Sequence, residues 1–346
     1  MKINVYENDP RFYNDVTFPE NHGSFSVICY GINGGLKELG YYAPADDADW
    51  VILPSSLDIN WQYKDKKSGS ITVWETINSL TNHHIRAAAN SKTKLIGMSD
   101  QVSRLYYKYG YDCSTLHCGC DTEFYKPTIP KSDIFTFLFI NSSNTRSGLD
   151  LALQAFHKAF QNNDKVRLIV KDTNEKSHIL QQRISELKSA GSNIEYVLGR
   201  WNRSQIRDLY SSSHVCLNVL RMTSWGFPLA ESSACGCLSV AGDFEPTNIL
   251  NRPEFSVLIK PTAEIPIASK LDELTNYWGL TNCYGGFSYP EEPLFYDYNI
   301  GEYAETLKNL FTNWNQYGNV DTRSYIVDNF RWVDTAKNLI KILEKA

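Results

Sequence analysis

Short apolar runs alternate with amphipathic stretches along nearly the whole chain, and this alternation restricts the fold more than any other feature. Runs such as Trp50-Val-Ile-Leu53 and Phe135-Thr-Phe-Leu-Phe-Ile140 leave no polar face for water. They suit strands of a parallel sheet, which is covered on both sides. Strands are expected at 2–6, 25–30, 50–53, 71–74, 94–98, 135–140, 166–170, 194–198 and 215–219. Helical spacing appears between them, most clearly at Leu149, Leu153, Phe156 and Phe160. Further helices are expected at 36–39, 101–109 (capped by Ser99-Asp100), 179–187 and 204–210, with a closing helical segment from Val320 onward. Residues 63–69 read as an exposed polar loop. Repeated βα units of this kind predict parallel sheets with helices on both faces.

The chain has 346 residues, enough for two such units. The prolines of Lys126-Pro-Thr-Ile-Pro-Lys131 mark a linker, placing a boundary between 128 and 129. The net charge of −5 argues against a broad nucleic-acid-binding face. Lys64, Lys66 and Lys67 form the only compact basic cluster of the first half, so peripheral membrane contact is not indicated. No run of about 18 apolar residues occurs, and no apolar leader follows Met1, so a cytoplasmic protein is expected. Its eight cysteines then read as reduced thiols. Cys118-Gly-Cys120 and Cys235-Gly-Cys237 lack the usual zinc-ligand spacing, and no metal or other cofactor is expected.

Five segments carry a resemblance. They are Leu116-His-Cys-Gly-Cys-Asp-Thr-Glu-Phe-Tyr-Lys-Pro127, Phe137 through Asp150, Tyr196-Val-Leu-Gly199 with Leu209-Tyr210, Ser224-Trp-Gly-Phe-Pro-Leu-Ala-Glu-Ser-Ser-Ala-Cys-Gly236, and Asn329-Phe-Arg-Trp332 with Ala336. In order and spacing they resemble the retaining GT-B-fold glycosyltransferases called family four, or glycosyl transferases group 1. Trp74-Glu75-Thr76 is similar to a segment of one branch. The resemblance implies two Rossmann-like domains facing across a cleft: residues 1–128 on the acceptor side and 129–325 on the nucleotide-sugar side. Residues 326–346 would form a helix returning to the first domain.

The same resemblance implies transfer of a hexose from a GDP- or UDP-linked donor, which is a substrate rather than a cofactor. A nucleotide diphosphate binds well where main-chain N–H groups converge at a helix start. Two turns offer this, one around Ser142 to Gly148 and one around Ser224, Trp225, Gly226, Phe227 and Pro228. Each is also readable as a plain βα turn, the first more easily than the second. Glu231 is the expected acceptor for the donor's ribose hydroxyls. Arg146 and Lys171 are expected to neutralise the leaving diphosphate. Glu75 is expected to face the cleft near the acceptor hydroxyl, with His83 and His84 as weaker candidates. Trp201 lies against the nucleobase or packs in a core. Gly34 and Gly35 either approach a phosphate or acceptor, or form a helix-entry turn. The family's first donor-sugar acid falls on Thr223, and its Arg and Lys dyad falls on Ser142 and Ser147. A catalytically weak binding or scaffold protein of the same descent is therefore the alternative.

Overall fold

The computed structural model describes residues 1–6, 24–54, 66–90, 93–173 and 177–346. Its first lobe holds β1 (Ile3–Val5), α1 (Ser24–Glu38), β2 (Trp50–Pro54), β3 (Lys67–Thr72), α2 (Asn82–Asn90), β4 (Lys94–Gly97), α3 (Asp100–Lys108) and β5 (Cys113–Thr115). Its five strands are parallel, in the order β1-β2-β3-β4-β5.

The second lobe begins with β6 (Phe135–Asn141), α4 (Leu149–Phe160), β7 (Val166–Asp172), α5 (His178–Ser189), β8 (Ile194–Leu198), α6 (Arg203–Ser212) and β9 (Val215–Asn218). It continues through α7 (Phe227–Ala234), β10 (Leu238–Gly242), α8 (Thr247–Leu250) and β11 (Ser256–Ile259). Six of these strands form a parallel sheet in the order β11-β10-β9-β6-β7-β8. A short antiparallel pair, β12 (Ala263–Pro266) and β13 (Leu294–Asp297), flanks α9 (Ile267–Asp272). The chain ends in α10 (Ile300–Thr312), α11 (Trp314–Tyr317), α12 (Ser324–Asn329) and α13 (Trp332–Glu344).

Strand residues of the second sheet alternate between two cores. Phe137, Phe139, Leu168 and Val170 face one apolar cluster, closed by α4, α5 and α10. Leu138, Ile140 and Ile169 face the other, closed by α6 and α7. That second cluster continues through Leu116 and Cys118 into the first lobe, where Ile3, Ile28 and Ile52 belong to it. The two lobes therefore share one apolar core.

The chain crosses between the lobes twice, and the crossings touch. Cys120 N donates to Phe330 O at 2.7 Å, and Cys120 bridges to Arg331. Arg323 binds both. Its Nη1 donates to Tyr125 O at 2.6 Å and to Ala234 O at 2.7 Å, and its Nη2 donates to Thr122 O at 2.7 Å.

The sequence places several elements well, including 149–160 and 194–198, but it misplaces the second one. Residues 25–30 are helix, not strand, and Gly34-Gly35 lies inside α1 rather than in a turn. The apolar run hid a helical period: Ile28, Ile32 and Leu36 are all buried. The glycines that look like breakers are contact points for α13. A Cβ on Gly31 would fall 2.1 Å from the Trp332 ring, and one on Gly35 would fall 2.7 Å from Trp332 O and 2.8 Å from Ala336 Cβ. Gly35→Ala would gain about 1 kcal/mol of helix propensity. Its new methyl meets main chain that no rotamer change relieves, so the net result is a loss of about 1–3 kcal/mol. A urea melt of the variant checks this; an unchanged midpoint would rule out the close packing.

The strand expected at 71–74 is β3, which ends at Thr72. Lys66 and Lys67 lie within the segment expected to be a loop. Lys66 Nζ donates to Asp46 O and Ala48 O, and Lys67 Nζ lies 5.2 Å from the Trp50 ring centre, at the start of β3. Residues 67–69 are therefore strand rather than exposed loop, with Ser68 buried, while Lys64 and the rest of 63–65 lie outside the described residues. The expected Ser cap of the helix at 204 is in fact Asn202, which forms a capping box with Gln205.

Candidate functional site

A pocket of about 400 Å³ opens between the lobes. Its walls come from α1 (Gly34, Gly35), the connector (Cys120, Asp121, Tyr125), Arg203 of α6, Phe227 and Glu231 of α7, and Trp332 of α13. The sequence builds the α7 wall in a definite way. Gly226 takes φ +106°, a left-handed turn that L side chains rarely adopt, and Pro228 follows in the first turn. One turn later, Glu231 reaches the pocket.

Tyr210 Oη donates to Glu231 Oε2 at 3.3 Å. Burial pushes the Glu231 carboxyl up from 4.5 to about 6, against opposing help from Tyr125, Arg203 and Tyr210. Arg203 is itself held by Asp121 at 2.9 Å and lies 4.1 Å from the Phe124 ring centre. Asp121 and Tyr125 stood in plain view within the connector motif. Arg203 carried no local signal, since its partners are 82 and 79 positions away.

A second constellation lies at the seam between lobes. Glu75 Oε2 pairs with Arg146 Nε at 2.5 Å. Ser224 N donates to Glu75 Oε1 at 3.4 Å, and Ser224 Oγ donates to Trp74 O at 3.1 Å. Tyr284 Oη donates to Glu75 O at 2.9 Å. Glu75 thus bridges the two turns expected to bind the diphosphate, rather than standing free at an acceptor. Arg146 is fixed by its own loop. Its N–H donates to Asn144 Oδ1 at 3.2 Å, and its carbonyl accepts from Arg221 N at 2.9 Å. Gly148 closes that loop at φ +70°, with a Cβ there landing 2.2 Å from Val219 O.

Lys171 is the penultimate residue of β7, near the strand end as expected, but it does not project openly into the cleft. It is fully buried, and its ammonium donates to Gly199 O and to Asp172 O. Burial lowers its pKa. The Trp201 ring centre lies 5.3 Å from its Nζ. Ser142 Oγ lies 3.0 Å from Thr173 Oγ1, beside the same strand ends. Ser147 is buried, with its hydroxyl donating to Asn144 O. Thr223 and Ser224 are buried beneath the seam. Trp225 departs from the expected binding role. It is buried between His117 and Phe330, at ring distances of 5.1 and 5.7 Å, because its side chain turns into the shared core while Phe227 turns to the pocket. His84 packs 4.5 Å from Trp74, and His83 lies beyond it.

The buried pair Arg221–Asp150 carries no local signal. Arg221 Nη1 and Nη2 donate to Asp150 Oδ1 and Oδ2 at 2.6 and 2.7 Å, with both side chains almost fully enclosed. Among the described residues, no group of three or more His, Cys, Asp or Glu side chains is placed to hold a metal ion. Nor, among them, is any helix long and apolar enough to cross a membrane.

Two facing lobes with parallel sheets, a cleft between them and a glycine-started helix on its wall are the architecture of the GT-B fold. Residues 121–281, just under half of the chain, match the model of the family described as Glycosyl transferases group 1. No curated protein sequence matches the chain significantly. Solved structures do. A glycosyltransferase from Rickettsia africae is similar over 96% of this chain and 85% of its own, at 14% identity and a TM-score of 0.61. The sucrose-phosphate synthase of Thermosynechococcus elongatus is similar over 92% and 78%, at 12% identity and a TM-score of 0.63. Anabaena HepE, solved in complex with UDP and glucose, is similar over 97% and 85%, at 13% identity and a TM-score of 0.61.

Proposed function

We propose that this glycosyltransferase moves a hexose from a UDP- or GDP-linked donor to an acceptor hydroxyl, with retention of anomeric configuration and without a metal ion. The observation that carries the reading is Glu231. It sits one turn into a glycine-started helix and lines the pocket between the lobes. A carboxylate there suits the two ribose hydroxyls, and the main-chain turn before it suits the diphosphate. The complex of HepE with UDP and glucose favours a uridine donor.

Arg146 is the cation we assign to the leaving diphosphate, since Lys171 is committed to main-chain carbonyls. Lys171 and Trp201 shape the strand ends beneath the donor instead. In the reaction, the acceptor oxygen bonds to the anomeric carbon as the bond to the diphosphate breaks. The acceptor proton passes to the departing phosphate oxygen on the same face. The enclosed thiols, seven of the eight free cysteines being buried, accord with a reducing cytoplasm.

Thr223, Ser142 and Ser147 favour the second reading, a binding or scaffold protein, because they replace charged groups at the donor. A thermal-shift screen of UDP, GDP and their hexose conjugates tests both readings, followed by a donor-consumption assay. Stabilisation with turnover supports transfer. Stabilisation with no turnover under any acceptor supports the scaffold. No stabilisation by any nucleotide overturns both.

The carboxyl of Glu231 also sets a pH dependence. Its ionised form accepts from hydroxyls, and that form is lost as pH falls through about 6. Donor affinity is expected to weaken from pH 7 to pH 5, and Glu231→Gln to flatten that slope. Titration calorimetry with UDP at three pH values checks it; an equal slope in both proteins would remove Glu231 from the ligand.

A further inference from the structure

The Glu75 carboxylate touches both groups that an anionic ligand would need. One oxygen meets the Arg146 guanidinium at 2.5 Å, and the other accepts from the Ser224 main-chain N–H. These groups sit on separate turns of the second lobe, while Glu75 comes from the first. We propose that Glu75 is an internal stand-in for the donor's diphosphate: it occupies the anion seat when no donor is bound, and the donor must displace it. The idea rests on the donor reading above and adds to it a built-in competitor.

Charge accounts for the arrangement. Arg146 is only partly exposed and would otherwise hold an uncompensated positive charge at the seam. A carboxylate carries one negative charge, whereas a diphosphate carries more and offers more acceptor oxygens. The ligand therefore wins the seat once it is present, and the first-lobe segment is released from Arg146. That segment is fastened elsewhere too. Ile77 N donates to Leu294 O at 3.0 Å, Asn82 N donates to Ser288 O at 2.8 Å, and Asn78 Nδ2 donates to Glu292 O at 2.9 Å. Glu75 can thus exchange partners while the seam stays joined.

The sign of the prediction separates this role from any role in which Glu75 assists the ligand. Removing a competitor tightens binding; removing a helper weakens it. Calorimetric titration of the full chain with inorganic pyrophosphate and with UDP is the measurement, in low-salt buffer. Glu75→Gln keeps the side-chain size and is expected to bind both about five- to tenfold more tightly than the wild type. In the Arg146→Gln background the same change should give no gain, because the seat has lost its cation. Unchanged or weaker binding by Glu75→Gln overturns the proposal while leaving the donor site standing if the wild type binds UDP. Binding of neither ligand by either protein sinks the proposal and the donor reading together. A fold-neutral control is the melting temperature of each variant without ligand. If Glu75→Gln does not fold, Glu75→Asp, whose shorter reach loosens the pair, is expected to show a smaller gain of the same sign, and no gain overturns the proposal.

Discussion

Asp150→Ala is expected to cost about 3–5 kcal/mol of folding free energy, as breaking a buried ion pair does. Arg221 would keep its charge in an enclosed site, with Asp297, at 3.9 Å, and the Glu273 carboxylate left to answer it. The pair also does mechanical work for the site. Asp150 stands in the first turn of α4, and Arg221 N holds the Arg146 carbonyl. Losing the pair therefore loosens the loop that presents Arg146. Urea denaturation of the single and double variants is the measurement. Asp150→Leu with Arg221→Met should recover most of the loss, since an apolar pair of similar volume removes both charges. A loss below about 1 kcal/mol for Asp150→Ala would mean that the interior near Arg221 admits water.

Glu231→Ala is expected to weaken nucleoside-diphosphate binding by about 2–3 kcal/mol, or some 30- to 150-fold, because charged hydrogen bonds to two hydroxyls would go. The fold should survive the change. Burial raises the carboxyl, so its ionised form costs stability as pH climbs from 4.5 through 6, and a neutral residue removes that cost. The variant should thus melt no earlier than the wild type at pH 8 while binding UDP far more weakly. Phosphate-only ligands give a useful contrast. Pyrophosphate has no ribose, so its affinity should change little. Equal losses for UDP and pyrophosphate would place Glu231 at the phosphates instead.

How much of this was legible in the sequence depends on how local the cause was. The helix 149–160 and the strand 194–198 declared themselves, because their apolar spacing is set by burial alone. The start of α7 was readable because Gly226 and Pro228 each do something few other residues do there. The helix at 24–38 is legible only in its last turn, at 36–38, since its glycines serve a neighbour more than 290 positions away in the sequence. Nothing near Arg221 announces Asp150, and nothing near Glu75 announces Arg146. Such pairs are decided only when the sheets and lobes come together. Trp225 shows the same limit: the motif around it names a turn, and packing decides which of its side chains faces inward.

The paired crossings at Cys120 and Phe330 have a mechanical consequence. A body joined to another at one point can swing, slide and spin. A body joined at two adjacent points keeps one rotation, about the line through both. Arg323, bolted to three carbonyls around that line, acts as its bearing. Turning about that line would also have to part the seam bonds of Ile77, Asn78 and Asn82, so the wall residues hold their facing positions until those bonds give way.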